Sequence, residues 1–365
     1  MKILITGSNG FIGKNLSYFL KSKKHKVLLY DKEKTTSDLI NYVKKADFIF
    51  HLAGINRPKE SKDFENNHTF TKLLTDIMTD LDKKTPIVFT SSSRALENNL
   101  YGNSKIKAEK LLKKFSKTNN SPIIIYRLPN VFGKWSKPNY NSVVATFCFN
   151  VANNLDLQIK SNRKLELVYI DDLMEAFFEN LNLDPDLKFK YIELDKKYSI
   201  TVKKLADKIL SFKEKNNYVQ DVGLGIDRDL YATYLSYLKP KDFSIKVVLK
   251  KDRRGIFAEM LKTKSSGQIS FFTAKPGVTR GQHFHHTKNE QFLVVKGKAT
   301  FRFISLNSKE KYKIKVNSKN PKIVRSIPGW AHDITNHGDE EMIALLWSNE
   351  IFDELNPDTY EYKIE

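Results

Sequence analysis

Several features that are common in secreted and membrane proteins are scarce or absent in this sequence. There is a single cysteine, Cys148, so no disulfide can form within the chain. No apolar run approaches the length of about 18 residues that a transmembrane helix needs. The opening stretch, MKILITGSNG, lacks the apolar core and the small-residue cleavage site of a signal peptide. Together these features favour a cytoplasmic protein without a membrane partner.

Arginine is also scarce, although the chain is strongly basic. The formal net charge is +20, yet only ten of the 62 basic residues are arginines, and the lysines are spread along the whole chain. Arginine is the usual reader of base edges in nucleic acids, so we expect no nucleic-acid partner. The excess positive charge does favour a small polyanionic ligand such as a nucleotide.

The order of apolar segments predicts two different domains in the 365 residues. In the first part, short apolar runs such as KILIT and KVLLYD alternate with segments of helical periodicity. This order predicts an α/β Rossmann-type fold with a doubly wound parallel sheet. From about Ile245, short strands follow one another closely, which predicts an all-β antiparallel barrel or jelly roll. We therefore predict domains at residues 1–243 and 244–365.

Three glycines separate the first predicted strand from the first predicted helix. Gly7, Gly10 and Gly13 form the spacing GxxGxxG, with Phe11 and Ile12 between the last two. Glycines at this place allow a tight turn and the close approach of a pyrophosphate to the helix N-terminus. The segment therefore predicts a dinucleotide-binding site.

The end of the second predicted strand bears on which dinucleotide binds. Asp31 lies about 20 residues beyond the glycines, where an acidic residue usually binds the ribose hydroxyls of NAD. Lys32 and Lys34 could instead contact the 2′-phosphate of NADP. The sequence leaves this choice open.

A tyrosine and a lysine lie four residues apart at the start of a predicted helix. Tyr101 and Lys105 therefore share one helical face, and a nearby ammonium is expected to lower the pKa of the phenol so that it can exchange a proton. The preceding strand ends in three serines. Ser92 is the best candidate to hydrogen-bond the reacting oxygen, and Ser91 and Ser93 are the alternatives if the register differs by one.

These motifs resemble the extended short-chain dehydrogenase/reductase family. The matching segments are GSNGFIG, HLAG at residues 51–54, the serine run and YGNSK. The resemblance implies NAD(P) binding and activity on nucleotide sugars, with Leu52, Ala53 and Gly54 at the cofactor and Asn67 helping to hold Lys105. It also implies a substrate-binding segment between Arg127 and Val143, whose candidate residues are Asn130, Lys137, Asn139, Tyr140 and Asn141.

Three of the eight histidines lie in the stretch GQHFHHTKNE. In a strand, residues two apart share a face, so His283 and His285 are expected to point the same way and His286 the opposite way. The TKN segment is a predicted turn that can return Glu290 to the two histidines. Two imidazoles and a carboxylate at a barrel mouth predict a divalent metal site.

A fourth ligand is expected from a later strand of the same barrel. His332 is the candidate, whereas His337 is one residue out of phase with the run of His332, Ile334 and Asn336. Zn²⁺ is the expected metal, and Mn²⁺, Fe²⁺ and Ni²⁺ also suit this ligand set.

The C-terminal part resembles the cupins. The spacing Gly-x5-His-x-His-x4-Glu-x6-Gly is complete between residues 277 and 297, and Gly329, His332 and Asn336 match the second cupin motif. Pro328 departs from that motif, because Ile327 stands where the proline is expected. The resemblance implies a metal-binding jelly-roll domain.

The combination of the two parts resembles the bifunctional capsular-polysaccharide enzymes of the UDP-N-acetyl-L-fucosamine pathway. The resemblance implies that the cupin epimerises a UDP-2-acetamido-2,6-dideoxy-4-hexulose at C3. The reductase then transfers hydride from NADPH to C4 and forms UDP-2-acetamido-2,6-dideoxy-L-talose. Tyr101 would protonate the alkoxide, Lys105 would lower the pKa of Tyr101, and Ser92 would align the carbonyl. A homodimer is expected from both resembled families.

Two points stay open at this level. The base for epimerisation is not identified, and the candidates for the base and for the groups that stabilise the enolate are Lys275, Arg280, His286 and Glu259. The cupin could alternatively be a regulatory or dimerising module beside a nucleotide-sugar reductase.

Overall fold

The computed structural model describes residues 1–57, 60–159, 161–183, 186–213, 221–246, 250–252, 255–257, 267–350, 353 and 355–365. This described chain divides into two compact units. The first comprises Met1–Phe132 and Leu165–Ser199, and the second comprises Gly133–Lys164 and Ile200–Glu365.

The first unit contains a six-stranded sheet in the order β2-β1-β3-β4-β5-β8, with every neighbouring pair parallel. Its strands are β1 (Lys2–Thr6), β2 (Lys26–Tyr30), β3 (Phe48–His51), β4 (Ile87–Ser92), β5 (Ile123–Leu128) and β8 (Phe189–Ile192). A small sheet follows the order β6-β7-β9, formed by β6 (Asn130–Phe132), β7 (Lys164–Tyr169) and β9 (Tyr198–Thr201).

Helices connect the parallel strands, as a parallel sheet requires. The helices of the first unit are α1 (Phe11–Ser22), α2 (Thr36–Lys45), α3 (Asn66–Asp80), α4 (Leu100–Asn119) and α6 (Ile170–Glu179), with short 3₁₀ turns at Ser61–Glu65 and Ser93–Leu96. Leu4, Ile49, Phe89 and Ile125 of the sheet are fully buried in one cluster with side chains of α2, α3 and α4. The carboxyl ends of β1 and β3 lie side by side, and this is where ligands bind in open α/β sheets.

Within its described residues, the second unit contains three helices and the strands of the antiparallel sheets. The helices are α5 (Val143–Ala152), α7 (Val202–Ser211) and α8 (Gly225–Leu235), with a 3₁₀ turn at Pro240–Asp242. The strands are β10 (Ser244–Lys246), β11 (Lys250–Asp252), β12 (Gly255–Phe257), β13 (Gln268–Ala274), β14 (Thr279–Phe284), β15 (Glu290–Lys296), β16 (Lys298–Ser305), β17 (Lys311–Asn317), β18 (Lys322–Arg325), β19 (Trp330–Asn336), β20 (Met342–Ser348) and β21 (Tyr360–Glu361).

Two five-stranded sheets make up the β part of the second unit. Their orders are β10-β18-β15-β20-β13 and β17-β16-β19-β14-β21, and β11 pairs with β12 in a separate two-stranded sheet. The pairings within both large sheets are antiparallel. The predicted fold class, a Rossmann-type parallel sheet followed by an all-β jelly roll, is confirmed. The second unit extends to both sides of residue 243, and a functional boundary at that residue stays a prediction.

No helix in the described ranges is both long enough and apolar enough to cross a membrane.

Candidate active site and metal centre

The three predicted glycines form the turn between β1 and α1. Gly7 has a φ of 69°, and a Cβ there would lie 2.7 Å from the Cα of Ala53. Gly10 is the N-cap of α1, and a Cβ on Gly13 would lie only 2.3 Å from the carbonyl oxygen of Gly7. Side chains are thus excluded at Gly7 and Gly13. The free N–H groups at the start of α1 fit a dinucleotide pyrophosphate.

Asp31 lies beside the glycine turn, at the end of β2. Its carboxylate accepts a hydrogen bond from the backbone N–H of Asn9 at 2.6 Å and one from that of Lys32 at 2.8 Å. The carboxylate is therefore held where a ribose would meet it. Lys32 and Lys34 are exposed beyond it.

The predicted serine, tyrosine and lysine come together in the first unit. Ser92 ends β4, and its side chain forms a hydrogen bond with the phenol of Tyr101 in the first turn of α4. Lys105 lies one turn further along α4, where its Nζ donates to the carbonyl oxygen of Thr90 at 3.1 Å. Burial lowers the pKa of Lys105 to about 8, although the charge of Glu109 opposes this effect.

The pKa of Tyr101 differs in direction from the sequence prediction. Burial raises this pKa above its usual value, and the hydrogen bond with Ser92 and the charge of Arg94 only partly oppose the rise. The expected lowering by Lys105 was wrong for this structure, because desolvation of the buried phenol is the largest effect on its pKa and, among the described residues, the only charge that acts against it is that of Arg94. Tyr101 is therefore a neutral proton donor at neutral pH.

The structure also distinguishes the three serines. Ser91 faces the interior, where its hydroxyl donates to Glu109 at 2.5 Å. Ser93 is exposed in the following 3₁₀ turn. Ser92 is the serine that interacts with Tyr101, on the opposite face of β4 from Ser91. The buried carboxylate of Glu109 also forms an ion pair with the guanidinium of Arg127, at 2.6 Å.

His51 carries a hydrogen-bond chain that the sequence did not reveal. Burial lowers its pKa to about 3, so the ring is neutral. Thr71 donates its hydroxyl proton to the carbonyl of Asn67 at 2.7 Å, so it must accept from Nε2 of His51, 3.0 Å away. The Nδ1 atom then accepts from the hydroxyl of Thr6 at 2.8 Å, and that hydroxyl accepts from the N–H of Ala53.

Asn67 connects these hydrogen bonds to α4, which carries Tyr101 and Lys105. Its side chain bonds both backbone groups of Ile55, with 2.6 Å from Oδ1 to the N–H, and donates to the hydroxyl of Ser104 at 3.1 Å. A Cβ on Gly54 would lie 3.0 Å from Nζ of Lys105 and 3.4 Å from Oδ1 of Asn67. Gly54 thus leaves the space in which Lys105 and Asn67 approach each other.

The candidate substrate residues lie in two places. Asn130 is exposed in the first unit, and its side chain donates to the carbonyl of Glu166 at 3.3 Å. The other candidates belong to an exposed loop of the second unit, and they are Lys137, Asn139, Tyr140 and Asn141. Their role in substrate binding stays a prediction.

The four predicted metal ligands form one cluster in the second unit. One ligand atom from each of His283, His285, Glu290 and His332 lies within 4.8 Å of all the others. The Nε2 of His285 is 3.0 Å from Glu290, and the Nε2 of His332 is 3.3 Å from it. His283 and His332 are directly paired across β14 and β19, whereas Glu290 begins β15 of the other sheet.

The protonation properties of this cluster fit a cation. Burial and the neighbouring histidines lower the pKa of His283 to about 3, so its ring is neutral and can act as a ligand. Burial alone would raise the pKa of Glu290, but His285 and His332 hold it well below the usual value. Within the described residues, the buried Nε2 of His283 has no hydrogen-bond partner. Three imidazoles and one carboxylate suit Zn²⁺ or a similar divalent ion.

The other described candidate residues of the C-terminal part are not members of the four-ligand cluster. His286 packs against Phe284 and Tyr360, with ring centroids 5.4 and 4.8 Å away. Of the other candidate residues, His337, Lys275 and Arg280 are exposed, and Glu259 lies outside the described residues.

The backbone around the ligands is held by residues that sequence reasoning missed. Ser326 accepts from the N–H of Glu290 at 2.8 Å, and Asn349 accepts from that of Asn289 at 2.9 Å. Asp358, near the C-terminus, accepts from three consecutive backbone N–H groups of the loop after His285. No spacing rule links these distant residues to the histidine motif.

Comparison with known proteins gives a family for both parts of the chain. Residues 3–185 match the NAD dependent epimerase/dehydratase family, in which the glycine turn and the Tyr101 site lie. The chain belongs to this family. Residues 250–360 match the polysaccharide biosynthesis C-terminal domain, which contains all four predicted metal ligands.

Relatives extend this assignment over the full length. A UDP-2-acetamido-2,6-beta-L-arabino-hexul-4-ose reductase of Pseudomonas aeruginosa is 44% identical over 366 residues, which cover 99% of this chain and 98% of that protein. The capsular polysaccharide assembling protein CapF of Staphylococcus aureus is 37% identical, with a TM-score of 0.66 over 100% of both chains. The predicted resemblance to capsular-polysaccharide enzymes is thereby confirmed.

A more distant structure shows the fold of the first part alone. The UDP-glucuronic acid 4-epimerase of Bacillus cereus is 20% identical, with a TM-score of 0.52 over 59% of this chain and 84% of that one.

Proposed function

We propose that this chain is a bifunctional nucleotide-sugar enzyme of capsular or surface polysaccharide synthesis. It epimerises a UDP-2-acetamido-2,6-dideoxy-4-hexulose at C3 and reduces the C4 ketone, which forms UDP-2-acetamido-2,6-dideoxy-L-talose. The observation that carries this proposal is the full-length similarity to a reductase of such a 4-keto sugar. The Tyr101 site carries out the reduction, and the four-ligand cluster serves the epimerisation.

The reduction needs a proton at the C4 oxygen when hydride arrives at the C4 carbon. The nicotinamide cofactor supplies the hydride when it is bound. The hydroxyl of Ser92 hydrogen-bonds the carbonyl oxygen, and the neutral phenol of Tyr101 donates the proton. Below its pKa of about 8, Lys105 keeps an ammonium in this buried site, which stabilises negative charge on the phenolate that remains.

The epimerisation needs a base that takes the C3 proton, which is acidic because the C4 carbonyl accepts the charge as an enolate, and a donor that returns a proton to the opposite face of C3. A divalent cation supplies Lewis-acid stabilisation of such an oxyanion when it is bound. The residues that would hold it are His283, His285, Glu290 and His332. Because three ligands are imidazoles, the site retains a net positive charge with the metal, which suits a developing oxyanion.

The two activities are tested separately with the same substrate. The Zn²⁺-loaded chain, incubated with the 4-keto sugar in deuterium oxide without a reductant, should incorporate deuterium at C3, as followed by NMR. After NADPH is added, the enzyme should oxidise it and form the 4-hydroxy product. Absence of C3 exchange would refute the epimerase and leave a reductase with a non-catalytic cupin. Absence of cofactor oxidation would refute the reductase.

The finer assignments of cofactor and metal belong to this proposal. NADPH is the proposed reductant because Lys32 and Lys34 follow β2 and can pair with a 2′-phosphate, although Asp31 also suits NADH. Steady-state oxidation of both cofactors tests this choice, and a clear preference for NADH would overturn it. Zn²⁺ is the proposed metal, and elemental analysis of the purified protein identifies the ion.

The proposed assembly is a cytoplasmic homodimer with a UDP-sugar as its small-molecule partner and no nucleic-acid partner. Light scattering of the purified chain measures the mass. A single chain of 42.3 kDa in solution would contradict the dimer.

A further inference from the structure

The loop that connects two of the metal ligands is bound by one carboxylate from the C-terminal tail. Oδ1 of Asp358 accepts from the N–H of His286 at 2.9 Å. Its Oδ2 accepts from the N–H of Thr287 at 2.9 Å, from the Thr287 hydroxyl at 3.0 Å and from the N–H of Lys288 at 2.7 Å. Three consecutive backbone N–H groups thus converge on one anion, which fixes the path of the chain between His285 and Glu290.

The same residue determines the orientation of a ligand ring. The backbone carbonyl of Asp358 lies 2.6 Å from Nδ1 of His285. A carbonyl can only accept a hydrogen bond, so Nδ1 must carry the proton. The Nε2 atom of this ring then faces the cluster, 3.0 Å from Glu290. A carbonyl on the far nitrogen is the usual way in which proteins orient a ligating histidine.

The tail around Asp358 is itself attached to the ligand strand. Lys288 is buried, and its Nζ donates to the carbonyl of Pro357 and to the hydroxyl of Thr359, both at 2.7 Å. Beyond it, β21 pairs with the end of β14. Asp358 has a φ of 36°, a conformation that aspartate tolerates better than most residues. In this conformation its carbonyl and its carboxylate both face the loop.

We propose that Asp358 is a positioning residue for the metal centre, acting through the loop backbone and through the ring of His285. This inference rests on the metal site proposed above. It assigns to the C-terminal tail a role in metal affinity, because a loop that is ordered beforehand loses less entropy when the ion binds. Removal of such an outer partner typically costs about 10- to 100-fold in metal affinity.

Two variants of the full-length chain test the proposal in graded steps. Asp358→Asn replaces one carboxylate oxygen by an NH₂ group that cannot accept, so part of the loop contacts is lost. Asp358→Ala removes all the carboxylate contacts and retains the backbone carbonyl. We expect Zn²⁺ affinity to fall in the order wild type, Asp358→Asn, Asp358→Ala, with about a 10- to 100-fold loss for the alanine variant. Asp339→Asn, an exposed carboxylate of the same unit, is the charge-matched control.

Affinity is measured by competition for Zn²⁺ with a chromophoric chelator, and Co²⁺ absorption reports the ligand geometry. Weaker binding and an altered Co²⁺ spectrum in both variants, with neither change in Asp339→Asn, would support the positioning role. Wild-type affinity in Asp358→Asn, even with a lower metal-free melting temperature, would overturn it, because a merely structural contact changes only stability. If the wild-type chain binds no metal, that result refutes the metal site proposed above and, with it, this inference.

Discussion

Lys105 offers the sharpest quantitative test of the first unit, because its ammonium is buried. Its pKa moves from 10.5 to about 8 on folding, which costs the folded protein about 3 kcal/mol at pH 7. Between these two pKa values the folded state binds fewer protons than the unfolded state, so wild-type stability rises with pH. At about pH 9.5 the remaining cost is about 1 kcal/mol.

The substitution Lys105→Met removes this cost at every pH and retains the shape of the side chain. It also removes the hydrogen bond to Thr90, which subtracts about 1 kcal/mol at every pH. In the cofactor-free protein, the free energy of unfolding of the variant should therefore exceed that of the wild type by about 2 kcal/mol at pH 7 and by nearly nothing at about pH 9.5.

Urea unfolding of both proteins at these pH values, followed by circular dichroism, measures the difference. Lys110→Met, an exposed change on the same helix, should give a difference that does not vary with pH. A difference for Lys105→Met that is equally independent of pH would refute the buried-ammonium reasoning.

Three further predictions concern the two sites. Tyr101→Phe should lower the rate of NADPH-dependent reduction by about 10²- to 10⁴-fold and leave deuterium exchange at C3 intact, and loss of both activities would contradict separate sites. Ser92→Ala should lower kcat, whereas Ser91→Ala should lower the melting temperature and leave kcat nearly unchanged, because Ser91 bonds a buried glutamate. His283→Ala should abolish C3 exchange and the rise in melting temperature on adding Zn²⁺, while the exposed control His337→Ala should keep both.

The parts that could be predicted from sequence depend on residues close together in the chain. A side chain at Gly13 would collide with the carbonyl oxygen of Gly7 in the same turn, so this constraint follows from local spacing, whereas a side chain at Gly7 would collide with Ala53, which only the fold brings near. His285 and His286 are adjacent in the sequence, so the prediction that their side chains point in opposite directions also depends only on local geometry. His332 was found because its own motif and its strand phase agreed, although it lies 42 residues beyond Glu290 in the sequence.

The parts that could not be predicted depend on contacts between distant segments. Asp358 lies about 70 residues after the loop it binds, in a tail whose composition resembles any polar terminus. The series of hydrogen bonds through His51 involves two hydroxyl groups and one backbone carbonyl, which only the folded structure brings together. In both cases the side chain could form hydrogen bonds with many different groups, and only the packing of the folded chain determines which of them it meets.

The pKa of Tyr101 shows why a motif can predict a residue and still predict its ionisation wrongly. The YxxxK spacing places a cation near the phenol, and charge attraction alone would favour the phenolate. The structure also buries the phenol, and desolvation is the larger effect. For a reductase the result is the useful one, since the substrate oxygen must receive a proton and only the neutral phenol carries it. In the proposed mechanism, the ammonium of Lys105 stabilises the anion after transfer, so burial and charge would act at different stages of the same step.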